Sequence, residues 1–486
     1  MSTGFNLIND DWITFPGAGT HSIRSVFRFG HELPGWPSGE PLFTAALMRI
    51  LTPITYRVSG LDAATLTVDT HTKLQLDLLS AGKFDPAAVD DYLNRWEKRF
   101  WLFGAPGGEE AFAQDPDVDL ANAAPADKLV MQRAAGNNPL WGNQHQGRLE
   151  PADTARHLLV QLYYSAGGTG AARTGAGRSY LKGARLRDTF SVHPVGRTFA
   201  ETLLLHAVPI ADVPGEFGVG APFWETEPGS VPAKPSGVLE MIAGRFEKAF
   251  SLGVEEGWVT SVSITEPAAG IADTATGVPY VDPYVVHDST EQPPVRRKPR
   301  AGRAVWRELE NLGLRSDLGG TSLTPVLRHA ELGLVDRAPT GWVVITHRGD
   351  KSKDIAWDTS TLPDVTVMFQ ELERWQCAAN FLSYADQLRK QLGVTLKRLW
   401  DETRSSGSTP YETADAEFWA LAENQFWATT KSYEVSLGPE APWVRDLVRF
   451  AVEAFDVTVD PLRIDPRAQI AIEQHRQRLS NWRPKP

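Results

Sequence analysis

A glycine-rich and cationic stretch contains the residue types that most clearly indicate binding chemistry. Residues 167–187 include six glycines and no acidic residue, and they contain five basic residues: Arg173, Arg178, Lys182, Arg185 and Arg187. Glycines let backbone N–H groups approach a ligand closely, and neighbouring cations add salt-dependent attraction to phosphates. This combination fits a DNA groove. A flexible surface loop with solvated cations is the alternative interpretation.

Two further basic segments have the composition of a polyanion contact. The first contains Arg296, Arg297, Lys298 and Arg300, and no acidic residue occurs from 292 to 307. The second is a polar tip with Lys351, Ser352 and Lys353, which lies between two extended runs and is therefore predicted to close a β-hairpin. Three cationic elements in one acidic chain indicate local polyanion binding, although a basic run is more often a solvated surface.

The sequence does not contain the residue spacings of three common catalytic and nucleotide-binding motifs. A zinc-protease helix would need a histidine four residues after His31, where the chain has Gly35. A nucleophile elbow around Ser179 would need a second glycine at Leu181. Arg173 occupies the position of the third glycine in the dinucleotide fingerprint, and no Gly-Lys-Ser or Gly-Lys-Thr follows. We therefore expect no metal centre, no cofactor and no nucleotide binding.

The composition is that of an ordinary soluble globular protein of two to three domains. Apolar residues make up 42% and charged residues 22% of the 486 residues, and 49 basic against 60 acidic side chains give a net charge of −11. This charge argues against a general nucleic-acid binder, so any such contact must be local. Cys377 is the single cysteine, so no internal disulfide forms. The chain begins without a secretory signal and has no membrane span, which predicts a cytoplasmic protein.

The elements that must position these residues form an α+β fold. We expect a large mixed domain over residues 1–364 and a C-terminal four-helix bundle over 365–486. In the first domain we predict helices over 41–52, 84–100 and 151–165, a helix that opens with a capping box at 198–201, and the hairpin around 343–357. In the second we predict helices over 365–403 with a break at Gly393, then 411–432, 441–457 and 465–482.

The sequence resembles the large subunit, usually called CasA, of the type I-E CRISPR surveillance complex Cascade. The opening segment from Phe5 to Ile13 is similar to the start of that family. The order of the later segments also matches over essentially the whole chain: an Asn-Gln loop, the glycine run, the basic run, the hairpin and the helical bundle. Specificity lies in this order, because each single motif is short.

The resemblance implies a function without enzymatic activity. It implies recognition of the protospacer-adjacent motif in double-stranded DNA, help in opening the strands, and recruitment of a helicase-nuclease to the bound target. The implied partners are the other Cascade subunits, CRISPR RNA and duplex DNA, with no membrane. The bundle would contact the small subunits and the displaced strand.

The resemblance also implies roles for particular residues. Trp141, Asn143 and Gln144 would form the loop that engages the complex and nucleic acid. The glycine loop in the DNA minor groove would comprise Gly167, Gly168, Gly170, Arg173, Gly175 and Gly177. A basic finger would come from Arg296, Arg297, Lys298 or Arg300, and a hairpin wedge from Lys351, Ser352 or Lys353, where Ser352 replaces the glutamine of the family.

Two alternatives of other classes remain open. The abundant carboxylates and the 16 tryptophans would suit an acidic, glycoside-active enzyme. A structural interaction subunit without DNA contact would also account for the tryptophans, which are favoured at interfaces. The reading as a DNA-recognition subunit requires the basic segments to come together on one surface.

Overall fold

The chain forms two compact units. They comprise Met1–Val305 with Thr321–Thr366, and Trp306–Gly320 with Val367–Pro486. The computed structural model describes residues 4–106, 111–131, 147–214, 218–227, 235–245, 247–268, 281–291, 294–300, 303–309, 322–333, 339–350, 353–365, 371–403, 410–431, 436–464 and 466–484.

The expected domain division between residues 364 and 365 stays a prediction; the second compact unit begins at Val367 and also includes Trp306–Gly320. Trp306 belongs to the second unit because its indole packs against Trp419 and Phe426, with ring centroids 5.6 and 5.0 Å apart. Arg307 also stacks on the Trp419 ring at 3.5 Å. Such packing partners lie more than a hundred residues away, so local sequence pattern could not reveal them.

The helices of the first unit include one, α2 (Pro41–Ser59), that is buried along most of its length. They are α1 Ile23–Phe29, α2 Pro41–Ser59, α3 Val68–Ala81, α4 Pro86–Trp96, α5 Pro151–Tyr164, α6 Phe199–His206, α7 Val238–Ala243 and α8 Pro325–Gly333. Short 3-10 helices occupy Glu97–Phe100, Ala126–Leu129, Ile210–Asp212 and Phe223–Glu225. Helix α2 packs against α4, α5, α6 and α7, and it is apolar on nearly all sides, as expected for a helix inside a core.

Helix α2 was predicted to end at Thr52, and that end is wrong. The helix continues through Pro53 to Ser59, because Leu51, Ile54 and Val58 are buried on both sides of the proline. Tertiary burial therefore outweighs the lost backbone hydrogen bond. Within this core, the side chain of Arg49 forms an ion pair with that of Asp282, and both are almost fully buried.

The strands of the first unit form small antiparallel sheets. They are β1 Phe5–Asn6, β2 Ile13–Phe15, β3 Gly19–His21, β4 Trp101–Phe103, β5 Ala124–Pro125, β6 Gly168–Ala171, β7 Arg178–Leu181, β8 Phe190–Val195, β9 Ala249–Glu255, β10 Trp258–Thr265, β11 His287–Asp288, β12 Val295–Arg296, β13 Ser322–Leu323, β14 Gly341–Asp350 and β15 Lys353–Pro363. The sheet orders among the described residues are β1-β4, β2-β3, β5-β10-β9, β6-β7, β12-β11-β13 and β15-β14-β8.

The predicted hairpin around residues 343–357 is present and longer than expected. Strands β14 and β15 pair from Gly341 with Pro363 to Asp350 with Lys353. Most of the polar segment 346–353, which was expected to form the tip, therefore belongs to the strands. Strand β8 pairs with the other edge of β14, so the base of the hairpin is fixed in a three-stranded sheet.

The second unit has four long helices in its described part. They are α9 Leu372–Thr403, α10 Tyr411–Lys431, α11 Pro442–Val459 and α12 Pro466–Ser480, with a 3-10 turn at Asp460–Ile464 before α12. Helix α9 packs against each of the other three, and α11 packs against α10 and α12. Phe381, Leu388, Phe418, Phe426 and Phe455 are fully buried among them. This arrangement is consistent with the expected bundle.

Two features of α9 bear on the sequence analysis. The predicted break at Gly393 is wrong, since α9 runs through this position. A Cβ atom on Gly393 would lie 2.6 Å from the Tyr411 ring, so the glycine permits close helix packing rather than ending the helix. The single thiol, Cys377, is 1% exposed and donates to the Ser436 carbonyl oxygen at 3.6 Å. Burial raises the pKa of this thiol.

Candidate nucleic-acid interface

The glycine run forms a β-hairpin, not the irregular loop that the sequence analysis expected. Strands β6 and β7 pair from Gly168 with Leu181 to Ala171 with Arg178. Glycine is required in β6 because the strand lies against β10. A Cβ atom on Gly170 would lie 2.5 Å from the Ile264 carbonyl oxygen, which cannot move aside as a flexible side chain can. We call residues 168–181 the glycine hairpin.

The turn of the glycine hairpin is anchored to an acidic segment. The Arg173 guanidinium pairs with the buried carboxylate of Asp115 at 3.0 Å. The Gly175 N–H donates to Asp119 Oδ2 at 2.7 Å, and Asn122 donates to the Gly175 carbonyl oxygen. These bonds give Arg173 an anchoring role, whereas the sequence analysis placed it against DNA. Gly167 lies directly before β6 and packs against the Leu181 carbonyl.

Strand β7 presents a cationic and aromatic surface. Arg178, Tyr180 and Lys182 are exposed, and Tyr180 is 71% exposed. Ser179 and Leu181 face the other way, and Ser179 Oγ lies 3.2 Å from Thr265 Oγ1 of β10. Alternate residues of a strand share a face and lie about 6.6 Å apart. Sequence reasoning overlooked Tyr180, although the alternation around it could have identified it.

The basic run divides into engaged and exposed cations. Arg296 in β12 donates to the carbonyl oxygen of Arg185, and burial lowers the pKa of Arg296. Arg297 pairs with Asp288 at 3.0 Å. Lys298 and Arg300 are exposed. The structure therefore gives Arg296 and Arg297 positioning contacts within the protein, and it leaves Lys298 at the surface.

Arg185 is a buried connector rather than a surface cation. Its side chain is 5% exposed, donates to the Met241 carbonyl oxygen at 2.7 Å and also donates to the Gly244 carbonyl oxygen. The carboxylate of Glu247 lies 3.6 Å away and is itself buried. Burial raises the pKa of Glu247, although the neighbouring Arg185 opposes this shift. Arg185 therefore fixes the chain that follows the glycine hairpin.

The outer end of the β14–β15 hairpin contacts the same chain segment. The Gly349 N–H donates to the Asp188 carboxylate, and the Asp188 N–H donates to His347 Nδ1 at 3.3 Å. The Arg187 guanidinium packs directly on Gly349, where a Cβ atom would lie 2.0 Å from it. Lys351 and Ser352 lie outside the described residues. Lys353 begins β15, but its side chain is not described.

Residues 182–189, which we call the junction segment, thus join three of the predicted elements. The segment follows the glycine hairpin directly, its Arg185 carbonyl binds Arg296 of the basic run, and its Arg187 and Asp188 bind Gly349 of the long hairpin. The structure does not test the fourth element, because Trp141, Asn143 and Gln144 lie outside the described residues.

Within the described ranges, no group of three or more histidine, cysteine, aspartate or glutamate side chains is arranged to hold a metal ion. No helix in the part of the chain that the structure describes is both long and apolar enough to cross a bilayer.

Comparison with protein families gives one match that spans most of the chain. The family model of the CRISPR-associated protein Cse1 matches residues 6–454. The chain belongs to the Cse1 family. A CasA/Cse1 protein of Thermus thermophilus is 32% identical over 231 residues, which are 46% of this chain and 42% of that relative. This alignment therefore spans less than half of the relative.

Solved Cse1 structures extend the similarity to the whole fold. A chain of a CRISPR RNA-guided surveillance complex is 25% identical with a TM-score of 0.78, covering 98% of this chain and 99% of that one. Cse1 of Thermus thermophilus matches with a TM-score of 0.76 at 22% identity, with the same coverage. Cse1 of Acidimicrobium ferrooxidans matches at 0.74 and 22%, covering 99% and 98%. The mixed helix and strand architecture is thus that of Cse1.

Proposed function

We propose that this Cse1 chain is the target-recognition subunit of an RNA-guided CRISPR surveillance complex, and that it is not an enzyme. It assembles with the other Cascade subunits and CRISPR RNA, recognises the protospacer-adjacent motif in duplex DNA, aids strand opening and brings a helicase-nuclease to the target. The family match and the similarity to a chain of a CRISPR RNA-guided surveillance complex support this proposal.

The meeting of three elements at the junction segment is the observation that carries the DNA-binding part of the proposal. The glycine hairpin, the basic run and the long hairpin are distant in sequence, yet each contacts residues 182–189. A protein of net charge −11 needs its cations collected in one place to hold a duplex. We infer that the exposed cations of the three elements share one surface around the junction segment.

We assign different tasks to the three elements. The exposed side chains of Arg178 and Lys182 contact phosphates, and Tyr180 between them stacks on a base or sugar. Lys298 supplies the basic finger, because it is exposed whereas Arg297 is held by Asp288. The tip of the long hairpin, at residues 351–352, enters the duplex beside the motif.

The remaining predicted features complete the proposal. Trp141, Asn143 and Gln144 contact the rest of the complex, and the four helices of the second unit form a bundle that contacts the small subunits and the displaced strand. Base pairing with the guide RNA supplies sequence specificity, so the protein reads only a short motif and the shape of the duplex. The proposal also places the protein in the cytoplasm.

Charge reversal at Arg178 of β7 and at Lys182, the residue after this strand, tests the proposed interface. The double variant Arg178→Glu/Lys182→Glu removes two phosphate contacts and adds two repulsive charges. We expect the assembled complex to bind duplex DNA that contains the motif at least about tenfold more weakly at moderate salt. Electrophoretic mobility shift over a range of salt concentrations measures this loss. The slope of log K against log salt should become shallower, as expected when about two fewer counterions are released on binding.

The control for this test is Arg95→Glu/Lys98→Glu, which makes the same change of charge on two exposed side chains, one in the last turn of α4 and one in the 3-10 helix that follows it. Co-purification of the variant with the other subunits separates a DNA-binding defect from an assembly defect. Equal DNA binding by both double variants within complete complexes would contradict the proposed interface and favour a structural subunit without DNA contact.

A further inference from the structure

A small cavity beside the anchored turn of the glycine hairpin contains two arginine side chains. The cavity has a volume of about 200 Å³, and its polar lining comes from Arg99, Gln114, Asp115, Arg245 and Ser251. Phe223 and Trp224 form the apolar wall. Pockets for drug-sized ligands hold about 300 to 1,000 Å³, so this cavity suits a smaller group.

Arg245 is the unusual residue of the cavity. Its side chain is 5% exposed, and its Nη1 donates to the Gln114 carbonyl oxygen at 2.7 Å. Its Nε is buried and has no hydrogen-bond partner among the described residues. The guanidinium also lies 5.5 Å from the centre of the Phe223 ring. Burial lowers the pKa of Arg245 to about 10.

The neighbouring charges do not balance Arg245. Asp115 attracts it, but the Asp115 carboxylate is bound to Arg173 at 3.0 Å. Arg99 repels Arg245 and is itself attracted by the exposed Glu227. Within the described ranges, no carboxylate lies at ion-pair distance from Arg245. A buried charge without a paired opposite charge is costly, and a bound anion relieves that cost.

We propose that this cavity is an oxyanion site that binds a phosphate group, which the Arg245 guanidinium contacts directly. Guanidinium groups present planar N–H donors that match phosphate oxygens, and the Ser251 hydroxyl adds a further donor to the lining. The phosphate comes either from solution or from the end of a nucleic-acid strand. This site does not depend on the proposed function, because its residues differ from those of β7 and the basic run.

Calorimetric titration of the purified full chain with inorganic phosphate tests the site, with sodium chloride at matched ionic strength as the reference. We expect saturable binding in the millimolar range and a rise of about 1–3 °C in the melting temperature. Arg245→Gln should weaken phosphate binding at least tenfold. Arg197→Gln, at a 65% exposed arginine, should bind phosphate like the parent chain.

Two further arms complete the test. If circular dichroism shows that Arg245→Gln is unfolded, Arg99→Gln replaces it and should also weaken phosphate binding. A short 5′-phosphorylated oligonucleotide is compared with its dephosphorylated form. Tighter, Arg245-dependent binding of the phosphorylated form identifies a strand end as the source, and equal binding of the two forms identifies free phosphate. Absence of saturable phosphate binding, or unchanged binding by the folded Arg245→Gln chain, overturns the proposal.

Discussion

At the scale of single residues, the basic side chains fall into those that hold the protein together and those that face solvent. Arg173, Arg185, Arg296 and Arg297 each bind a carboxylate or a carbonyl oxygen of the protein. Arg178, Lys182 and Lys298 are exposed. A charge that already has a partner in the fold gains little from a phosphate, so the exposed group is the better candidate for DNA contact.

Lys298 offers a sharp test of this distinction. Replacement of Lys298 by alanine should remove one phosphate contact, weaken duplex binding by the assembled complex and reduce the slope of log K against log salt by about 0.9. The effect should be similar for different motif sequences, because phosphate contacts carry no sequence information. Binding measured at several salt concentrations checks both expectations.

Lys83→Ala is the matched control for Lys298→Ala, since Lys83 is an exposed lysine of the first unit outside the three converging elements. It should leave the salt slope unchanged. An unchanged slope for Lys298→Ala as well would remove this residue from the interface.

Sequence alone could identify the cations but not their partners. The run of glycines and basic residues from 167 to 187 is visible without a structure, and so is the basic run at 296–300. The partner of Arg173 lies 58 residues away at Asp115, and the carbonyl that binds Arg296 lies 111 residues away at Arg185. Such pairs depend on the tertiary fold, so the sequence could not show which cations are exposed.

At the scale of elements, the glycine hairpin shows how small residues determine where a strand lies. The backbone of β6 approaches β10 so closely that a side chain at Gly170 would meet a main-chain carbonyl. The absence of a Cβ atom is therefore a packing requirement at this position. The flanking turn is held separately by Asp119 and Asn122.

Gly170→Ala should detach the glycine hairpin from β10. We expect a cost of about 1–3 kcal/mol from overpacking against the Ile264 carbonyl, expressed as faster amide hydrogen exchange in residues 168–181. Gly257→Ala is the control, because its Cβ atom would meet nothing within 4 Å and only its positive φ of 82° is strained. Equal exchange in the two variants would contradict the packing argument.

The helices and strands could be predicted where the apolar periodicity was strong, but not where tertiary contacts determine where an element begins or ends. The helix predicted over 151–165 corresponds closely to Pro151–Tyr164, and the long hairpin was expected from its alternating runs. Helix α2 continues through Pro53, because buried residues on both sides of the proline outweigh its low helix propensity. Helix α9 continues through Gly393, because close packing against Tyr411 outweighs the low helix propensity of glycine. The β6 strand was overlooked for the same reason, since glycine has low strand propensity.

At the scale of the whole molecule, the first unit buries several uncharged imidazoles. Burial lowers the pKa of His71, His206 and His287 to about 4, and that of His329 to about 3. His206 Nε2 lies 3.1 Å from a ring nitrogen of His193. Protonation of these rings would place charge in the core.

The pH dependence of stability follows from these imidazoles. The unfolded chain binds their protons below a pH of about 6.5, whereas the folded chain does not bind them until about pH 4. The free energy of unfolding should therefore fall as the pH is lowered through this range, by up to about 1.4 kcal/mol per pH unit for each histidine. Urea unfolding at pH 7.5, 6 and 5 measures the slope.

His71→Leu should reduce the number of protons taken up on unfolding by about one and so flatten the dependence of the unfolding free energy on pH. Neither ring nitrogen of His71 has a hydrogen-bond partner among the described residues. Stability that stayed constant or rose between pH 7.5 and 5 would show that the buried imidazoles do not control acid unfolding.

The buried position of Cys377 has a practical consequence for watching this protein at work. Its thiol, on α9, is buried, and the raised pKa keeps it protonated at neutral pH, so it reacts slowly with maleimide dyes. A cysteine introduced at the exposed Ala176, in the turn of the glycine hairpin and outside the proposed phosphate contacts, would thus accept a fluorophore selectively, without prior removal of the native thiol. Energy transfer to a dye on DNA would then report the approach of the glycine hairpin in real time.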